Sequence, residues 1–181
     1  MSTEHGPKLE LLIGMIASGK STYARSRARE GALVISHDDL TEMLHGEYRY
    51  EPGLRECYRT MEEGIAKTAI LHGRDVVIDR THLTRESRSR WVNFVRLFGK
   101  SRWNVQPPSP IKLVAIVFPI TAPEEHAAWR FAHDHRGRSY EECLGVARHH
   151  HAQAMAEPID VAEGFTSIEH RDWKGVAVVH D

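Results

Sequence analysis

Short apolar runs alternate with longer amphipathic stretches along most of this chain. Leu9-Glu10-Leu11-Leu12-Ile13 is the first run and stops at Gly14, as a buried strand entering a turn does. Residues 20–30 follow with good helix formers and stop at Gly31, a C-cap residue type. Ala32-Leu33-Val34-Ile35-Ser36 reads as a second strand, with His37-Asp38-Asp39 at its carboxyl end and a short helix over 39–45. Residues 48–53 read as a loop. Leu54, Cys57, Tyr58, Met61, Ile65 and Ala69 then recur at helical spacing as far as Gly73. Asp75-Val76-Val77-Ile78-Asp79 is a β-branched third strand that ends in an acid. Thr84 opens a helix whose Trp91, Val92, Val95 and Phe98 make one apolar stripe ending at Gly99, and helical spacing accounts for that stripe as core. A proline-rich connection over 101–110 leads to a fourth strand over 111–118. Thr121-Ala122-Pro123-Glu124 has the capping-box pattern and opens a helix to Arg130; Ser139-Tyr140-Glu141-Glu142 opens another to about Met155. Val176-Ala177-Val178-Val179 reads as an edge or final strand.

Strand and helix alternate four times. That order predicts an α/β fold with a parallel sheet of four to five strands, helices on both faces, and ligand-binding residues gathered at the carboxyl ends of the strands. At 181 residues the chain reads as one domain over 9–181 behind a loose leader over 1–8. Its core is large enough to bury about 70% of the surface the unfolded chain exposes, so no disulfide framework is needed. Cys57 and Cys143 show no metal-thiolate spacing and point to a reducing compartment. No apolar run approaches the roughly 18 residues of a membrane span, and the expectation is a soluble, cytoplasmic chain. A net charge of −1 gives no whole-molecule attraction to nucleic acid. Locally, Arg80, Arg85, Arg88, Arg90, Arg96, Lys100 and Arg102 oppose only Glu86 over 80–102. That run reads as a solvated helix face first and a polyanion-facing surface second.

The chemistry starts at Gly14-Met15-Ile16-Ala17-Ser18-Gly19-Lys20-Ser21, a Gly-x4-Gly-Lys-Ser phosphate loop between the first strand and the first helix. In such a loop Gly14 and Gly19 let backbone N–H groups close on phosphate oxygens. Lys20 neutralises the β- and γ-phosphates, the Ser21 hydroxyl ligates Mg²⁺, and the following helix N-terminus favours the anion. Ala17, Ser18 and Thr22 complete the cradle. The acids Asp38 and Asp79 emerge on the same rim, where a hydroxyl attacking a phosphoryl group needs a carboxylate base. Residues 133–138, between the last two helices, are short, charged and glycine-containing, and fit a lid over about 130–140 whose Arg136 reaches a transferring phosphoryl group. Arg130 sits at the lid's edge and is a candidate to stack on the nucleobase. His149, His150 and His151, with His133 and His135, match no zinc spacing, and three consecutive helical side chains fan over roughly 200°, so a structural metal is not expected.

Taken in order, Gly14 to Thr22, Asp38-Asp39 after the second strand, Asp79-Arg80-Thr81-His82 after the third and Arg136-Gly137 in the lid resemble the P-loop kinases that phosphorylate 5′-hydroxyl ends of polynucleotides in phage and bacterial repair. The likeness covers most of 9–155, and the phosphate loop is its stringent part. It implies ATP and Mg²⁺ as cofactors and the 5′-OH end of single-stranded DNA or RNA as acceptor. It further implies Asp38 as general base, Arg136 as transition-state stabiliser and Asp79 as an organiser of the acceptor or magnesium shell. Two positions depart from the family pattern. Thr41 stands where an arginine helps hold the acceptor phosphate, and His82 replaces an asparagine; Arg80 is the candidate replacement cation. Two other functions compete: a small-molecule kinase acting on a sugar acid, nucleoside or other metabolite, and a non-catalytic nucleotide-dependent regulator. The regulator is disfavoured because no guanine-reading Asn/Thr-Lys-x-Asp is present.

Overall fold

Four of the apolar runs and one polar segment form five strands, and the amphipathic stretches six α-helices, in a computed structural model that describes residues 6–98, 107, 109–133 and 136–172. In order these are β1 (Lys8–Ile13), α1 (Lys20–Arg29), β2 (Leu33–Ser36), α2 (His37–His45), α3 (Arg55–Leu71), β3 (Val76–Asp79), α4 (Arg85–Leu97), β4 (Lys112–Val117), α5 (Pro123–Ala132), α6 (Tyr140–Ala156) and β5 (Ser167–His170), with 3₁₀ turns at Pro52–Leu54 and Val161–Glu163. The sheet is wholly parallel in the order β2-β3-β1-β4-β5. β1 therefore lies at the centre, and its carboxyl end, where the phosphate loop begins, adjoins the ends of β3 and β4.

Strand periodicity divides the core. Leu9, Leu11 and Ile13 of β1 point to one face and pack with Val76, Ile78, Ala66, Ile70 and Trp91 under α3 and α4. Leu12 points to the other, against Tyr23 and Ala24 of α1 and Val114 and Ile116 of β4. Each aliphatic side chain buried there stabilises the fold by about 1.5–3 kcal/mol. A third cluster joins Met15 of the phosphate loop to Ala127 of α5 and Cys143, Leu144 and Ala147 of α6. The lid's two flanking helices are thereby packed on the loop itself.

Local signals hold with specific exceptions. Thr84 and Ser139 cap α4 and α6 as expected, Ser139 in a full capping box with Glu142. The capping box expected at Thr121 does not form. Pro123 is favoured at the first helical position and pushes Ala122 out of helical geometry (φ −56, ψ 131), so the helix starts one residue too late for Thr121 to cap it. Ser36, rather than Asp39, caps α2 by accepting from the Asp39 N–H, which places Asp38 in the helix's first turn. Lys8, assigned to the leader, begins β1. β5 was not expected: Ser167-Ile168-Glu169-His170 is polar because it pairs on one side only, with β4. The expected strand at Val176–Val179 lies outside the described residues.

The basic run over 80–102 is not one face. Arg88 is buried, donates to both carboxylate oxygens of Glu163 (2.7 and 2.8 Å), and satisfies the carbonyls of His82, Leu83 and Glu157. Lys100 and Arg102 lie outside the described residues. Replacing Arg88 by Leu should strand a buried Glu163 carboxylate and cost about 3–5 kcal/mol, read as a lower urea midpoint. Arg96→Ala, at a surface position bonded only locally to Asn93, should shift stability by less than about 0.5 kcal/mol in the same assay.

Candidate active site

The phosphate loop is fixed at both ends by backbone geometry. The Gly14 N–H donates to the Thr81 carbonyl at 3.0 Å, and a Cβ at Gly14 would meet Ser18 Oγ at 2.7 Å and Phe118 Cβ at 2.9 Å. Gly19 has φ 94, open to glycine, but Ala17 also sits in the left-handed region at φ 55. For a non-glycine residue that conformation costs of order 1–3 kcal/mol and persists only where neighbours over-determine it. The neighbour is Ile16, whose N–H donates to His150 Nδ1 (3.2 Å) and whose carbonyl pairs with His126 Nδ1 (2.8 Å). Gly19 caps α1 with no side-chain acceptor, and the first turn has no acid, so the helix N-terminus is kept for an external anion.

Lys20 is buried at 8% exposure, and its ammonium donates to the Gly14 carbonyl (3.0 Å), the Ser18 hydroxyl (3.3 Å) and the Met15 carbonyl. Burial lowers its pKa to about 8; the Asp79 and Asp38 charges pull it up and the Arg130 charge pushes it down. Asp79 ends β3 and is hydrogen-bonded to the Ser21 side chain. Burial raises its pKa, and the Asp38 and Asp39 charges raise it further, against Lys20 and Ser21. The buried carboxyl and the serine hydroxyl are two oxygen donors of the kind a hard dication takes; among the described residues no three acids, histidines or cysteines gather into a metal-holding cluster.

Asp38, half exposed, accepts a hydrogen bond from Arg136 Nη2 at 3.0 Å, while the Arg136 guanidinium lies 3.5 Å over the Tyr48 ring. The lid arginine thereby rests on the acid next to the phosphate loop. Thr41 is buried, and its hydroxyl donates to the Asp38 carbonyl (2.8 Å) rather than facing outward. Thr22 is exposed in the first turn of α1.

Arg80 is tied to α3 and makes no bond to the phosphate loop among the described residues. It donates to Glu62 at 3.1 and 3.3 Å, and the same fully buried carboxylate takes Arg90 (2.7 Å) and His37 Nδ1 (2.9 Å). Burial pushes the Glu62 carboxyl up, but the His37 hydrogen bond and the Arg80 and Arg90 guanidinium groups outweigh it and hold it at about 2. Above this anchor lies a cavity of about 140 Å³ lined by His37, Arg55, Arg59, Arg80, Arg90 and Trp91, among others. Sequence reasoning missed Glu62, His37 and the α3 arginines. The signal was present: Glu62 falls four residues after Tyr58 and four before Ala66, an acid inside a buried stripe. His82, also fully buried, has φ 41, and its Nδ1 bonds the Leu12 carbonyl (3.0 Å), tying the segment after β3 to β1.

A model of the AAA_33 family, described as an AAA domain, matches residues 9–158. A protein of Autographa californica nuclear polyhedrosis virus, provisionally named a bifunctional polynucleotide kinase/RNA ligase, is 35% identical over 97 residues, covering 46% of this chain and 14% of that protein. Among solved structures, a chain of the Pnkp1/Rnl/Hen1 RNA repair complex superposes with a TM-score of 0.68 at 23% identity over 86% of this chain and 46% of its own. A fungal RNA kinase superposes with a TM-score of 0.59 at 15% identity over 93% and 75%. The chain therefore spans less than half the length of the viral relative and of the repair-complex chain. The structural likenesses establish the fold, which implies ATP binding.

The buried histidines make stability pH-dependent. Burial holds His82 at about 3 and His150 at about 4, below the unfolded value of about 6.5. Between those values the unfolded chain binds the extra proton, so the stability is complete above about pH 6.5 and is lost as pH falls toward 4 and 3. By pH 5 each histidine should cost about 2 kcal/mol. Urea midpoints at pH 7 and 5 should show the loss, and His82→Asn, which tolerates the positive φ and keeps a donor, should make it smaller.

Proposed function

The chain belongs to the AAA_33 family of AAA domains, and from that premise we propose that it is an ATP- and Mg²⁺-dependent kinase that phosphorylates the 5′-hydroxyl end of single-stranded DNA or RNA. The observation that carries this reading is the arginine-lined cavity. Its His37 and Arg80 are the sequence neighbours of Asp38 and Asp79, so a polyanionic strand held by Arg55, Arg59, Arg80 and Arg90 has its end beside the phosphate loop. A neutral metabolite has no use for four guanidinium groups there. The likeness to a viral protein named a polynucleotide kinase/RNA ligase supports the same acceptor class.

The residues divide the reaction as follows. The backbone of Gly14 to Gly19, with Thr22 at the helix N-terminus, cradles the triphosphate, and Lys20 turns from its loop carbonyls to the β- and γ-phosphates. Their charge raises its pKa from about 8 and keeps it cationic. Ser21 and Asp79 would hold Mg²⁺, which supplies charge neutralisation across the phosphates. Asp38 accepts the proton of the 5′-hydroxyl as O5′ bonds to the γ-phosphorus and the bond to the β-γ bridging oxygen breaks, releasing ADP. Arg136 leaves Asp38 to neutralise the transferring oxygens, with Arg130 behind it at the phosphate end. Thr41 fixes the Asp38 backbone, and Arg80, anchored by Glu62, faces the acceptor in place of the family's arginine.

Incubation with γ-labelled ATP should label 5′-OH DNA or RNA oligonucleotides. Efficient transfer to a small metabolite with none to either oligonucleotide would overturn the reading. Lys20→Ala and Asp38→Ala should each lower the rate at least about a hundredfold. Arg55 and Arg59 are the cavity arginines that do not serve Glu62, pairing with Glu86 and Glu56 instead. Replacing both with Ala should raise the acceptor KM about tenfold, leave the ATP KM nearly unchanged, and flatten the salt dependence of acceptor binding.

A further inference from the structure

The crown of the phosphate loop is held by side chains that no phosphate-loop pattern specifies. Ile16 gives its N–H to His150 on α6 and its carbonyl to His126 on α5, the two helices that flank the lid segment. The two bonds require opposite roles of Nδ1. His150 must present a bare Nδ1 to accept, and His126 a protonated one to donate; the Thr121 hydroxyl, 3.3 Å from His126 Nε2, can donate to the nitrogen left bare. His150 must therefore be neutral to accept, whereas His126 donates through Nδ1 in either charge state; burial and the nearby Lys20 charge lower the pKa of both rings and keep His150 neutral at neutral pH. Immediately beside Ile16, Met15 is buried against α5 and α6. On the other side is Ala17, in a left-handed conformation that an alanine does not keep unaided.

We infer that His126 and His150 are positioning residues that hold the phosphate loop in its triphosphate-binding shape and join that shape to the lid helices. Lys20 ties the loop to itself through the Gly14 and Met15 carbonyls and the Ser18 hydroxyl. Those ties are given up when the ammonium turns to phosphate. The histidine bonds to Ile16 do not involve Lys20, so they persist through that exchange and, with the packing of Met15, keep Ala17 left-handed. This inference rests on the ATP half of the proposed function and is independent of the acceptor.

Equilibrium ATP binding without any acceptor tests it, with thermal melts as a record of folding. His150→Ala should weaken ATP binding about tenfold. His150→Asn places an amide oxygen near the position of Nδ1 and should bind ATP within about threefold of the unmodified chain. His150→Gln carries its oxygen one bond further out and should be as weak as His150→Ala. Ala17→Gly in the His150→Ala background should recover most of the loss, because glycine takes the left-handed conformation without help. Unchanged affinity in His150→Ala would overturn the inference. So would equal weakening by Asn and Gln with no recovery from Ala17→Gly, since that pattern belongs to a general packing defect. The Asn and Gln pair decides the matter even if the alanine variant does not fold, and loss of oligonucleotide phosphorylation with these ATP affinities intact would strike only the acceptor reading.

Discussion

An ammonium group buried inside a loop of backbone carbonyls must be offset by nearby negative charge, and the arrangement around Lys20 follows from that constraint. Its carbonyl partners come from the tight winding of Gly14 to Gly19, which in turn requires a residue without Cβ at Gly14 and left-handed backbone at Ala17 and Gly19. Its electrostatic partners, Asp79 and Asp38, come from the ends of β3 and β2. Sheet order makes this possible, because β3 lies directly beside β1 and β2 beyond it. Burial raises the Asp79 pKa against the pull of Lys20, so the site holds a cation and a reluctant carboxylate side by side.

A second buried charge divides the arginines by job. Glu62 takes three partners at once, and a fully paired carboxylate in a low-dielectric setting fixes the orientation of each of them. Arg80 and Arg90 therefore line the cavity as preset groups, with less side-chain entropy left to lose when a phosphate binds. Arg88, only two residues from Arg90, is spent entirely on Glu163 and three carbonyls. Helical geometry explains the division: positions 88 and 90 face about 200° apart around α4.

Between these two centres stands the pair formed by Arg136 and Asp38. Under the proposed function it withholds both groups from phosphate and hydroxyl until one is displaced. At a half-exposed site this pairing is weak, about 0–1 kcal/mol, which suits a contact that must break in each cycle. The packing of α5 and α6 on Met15 and Ile16 ties the phosphate loop to both helices.

The alternation of apolar runs and amphipathic stretches determined the α/β class, four of the five strands and the place of the phosphate loop, because strand and helix periodicities are local properties of the chain. Gly14, Lys20, Ser21, Asp38 and Asp79 were legible for the same reason: a motif and the strand ends that follow it stand in sequence order. β5 was not, since an edge strand needs no strongly apolar run, and the cap at Thr121 failed because one proline moved the helix start. Only the tertiary structure decided that Arg80 and Arg90 share Glu62 while Arg88 serves Glu163, and that His126 and His150 close on Ile16. Those pairings join residues from 18 to 134 positions apart. A buried charge or an unpaired backbone group takes its partner from whatever the fold brings within about 3 Å, and no local periodicity carries that information.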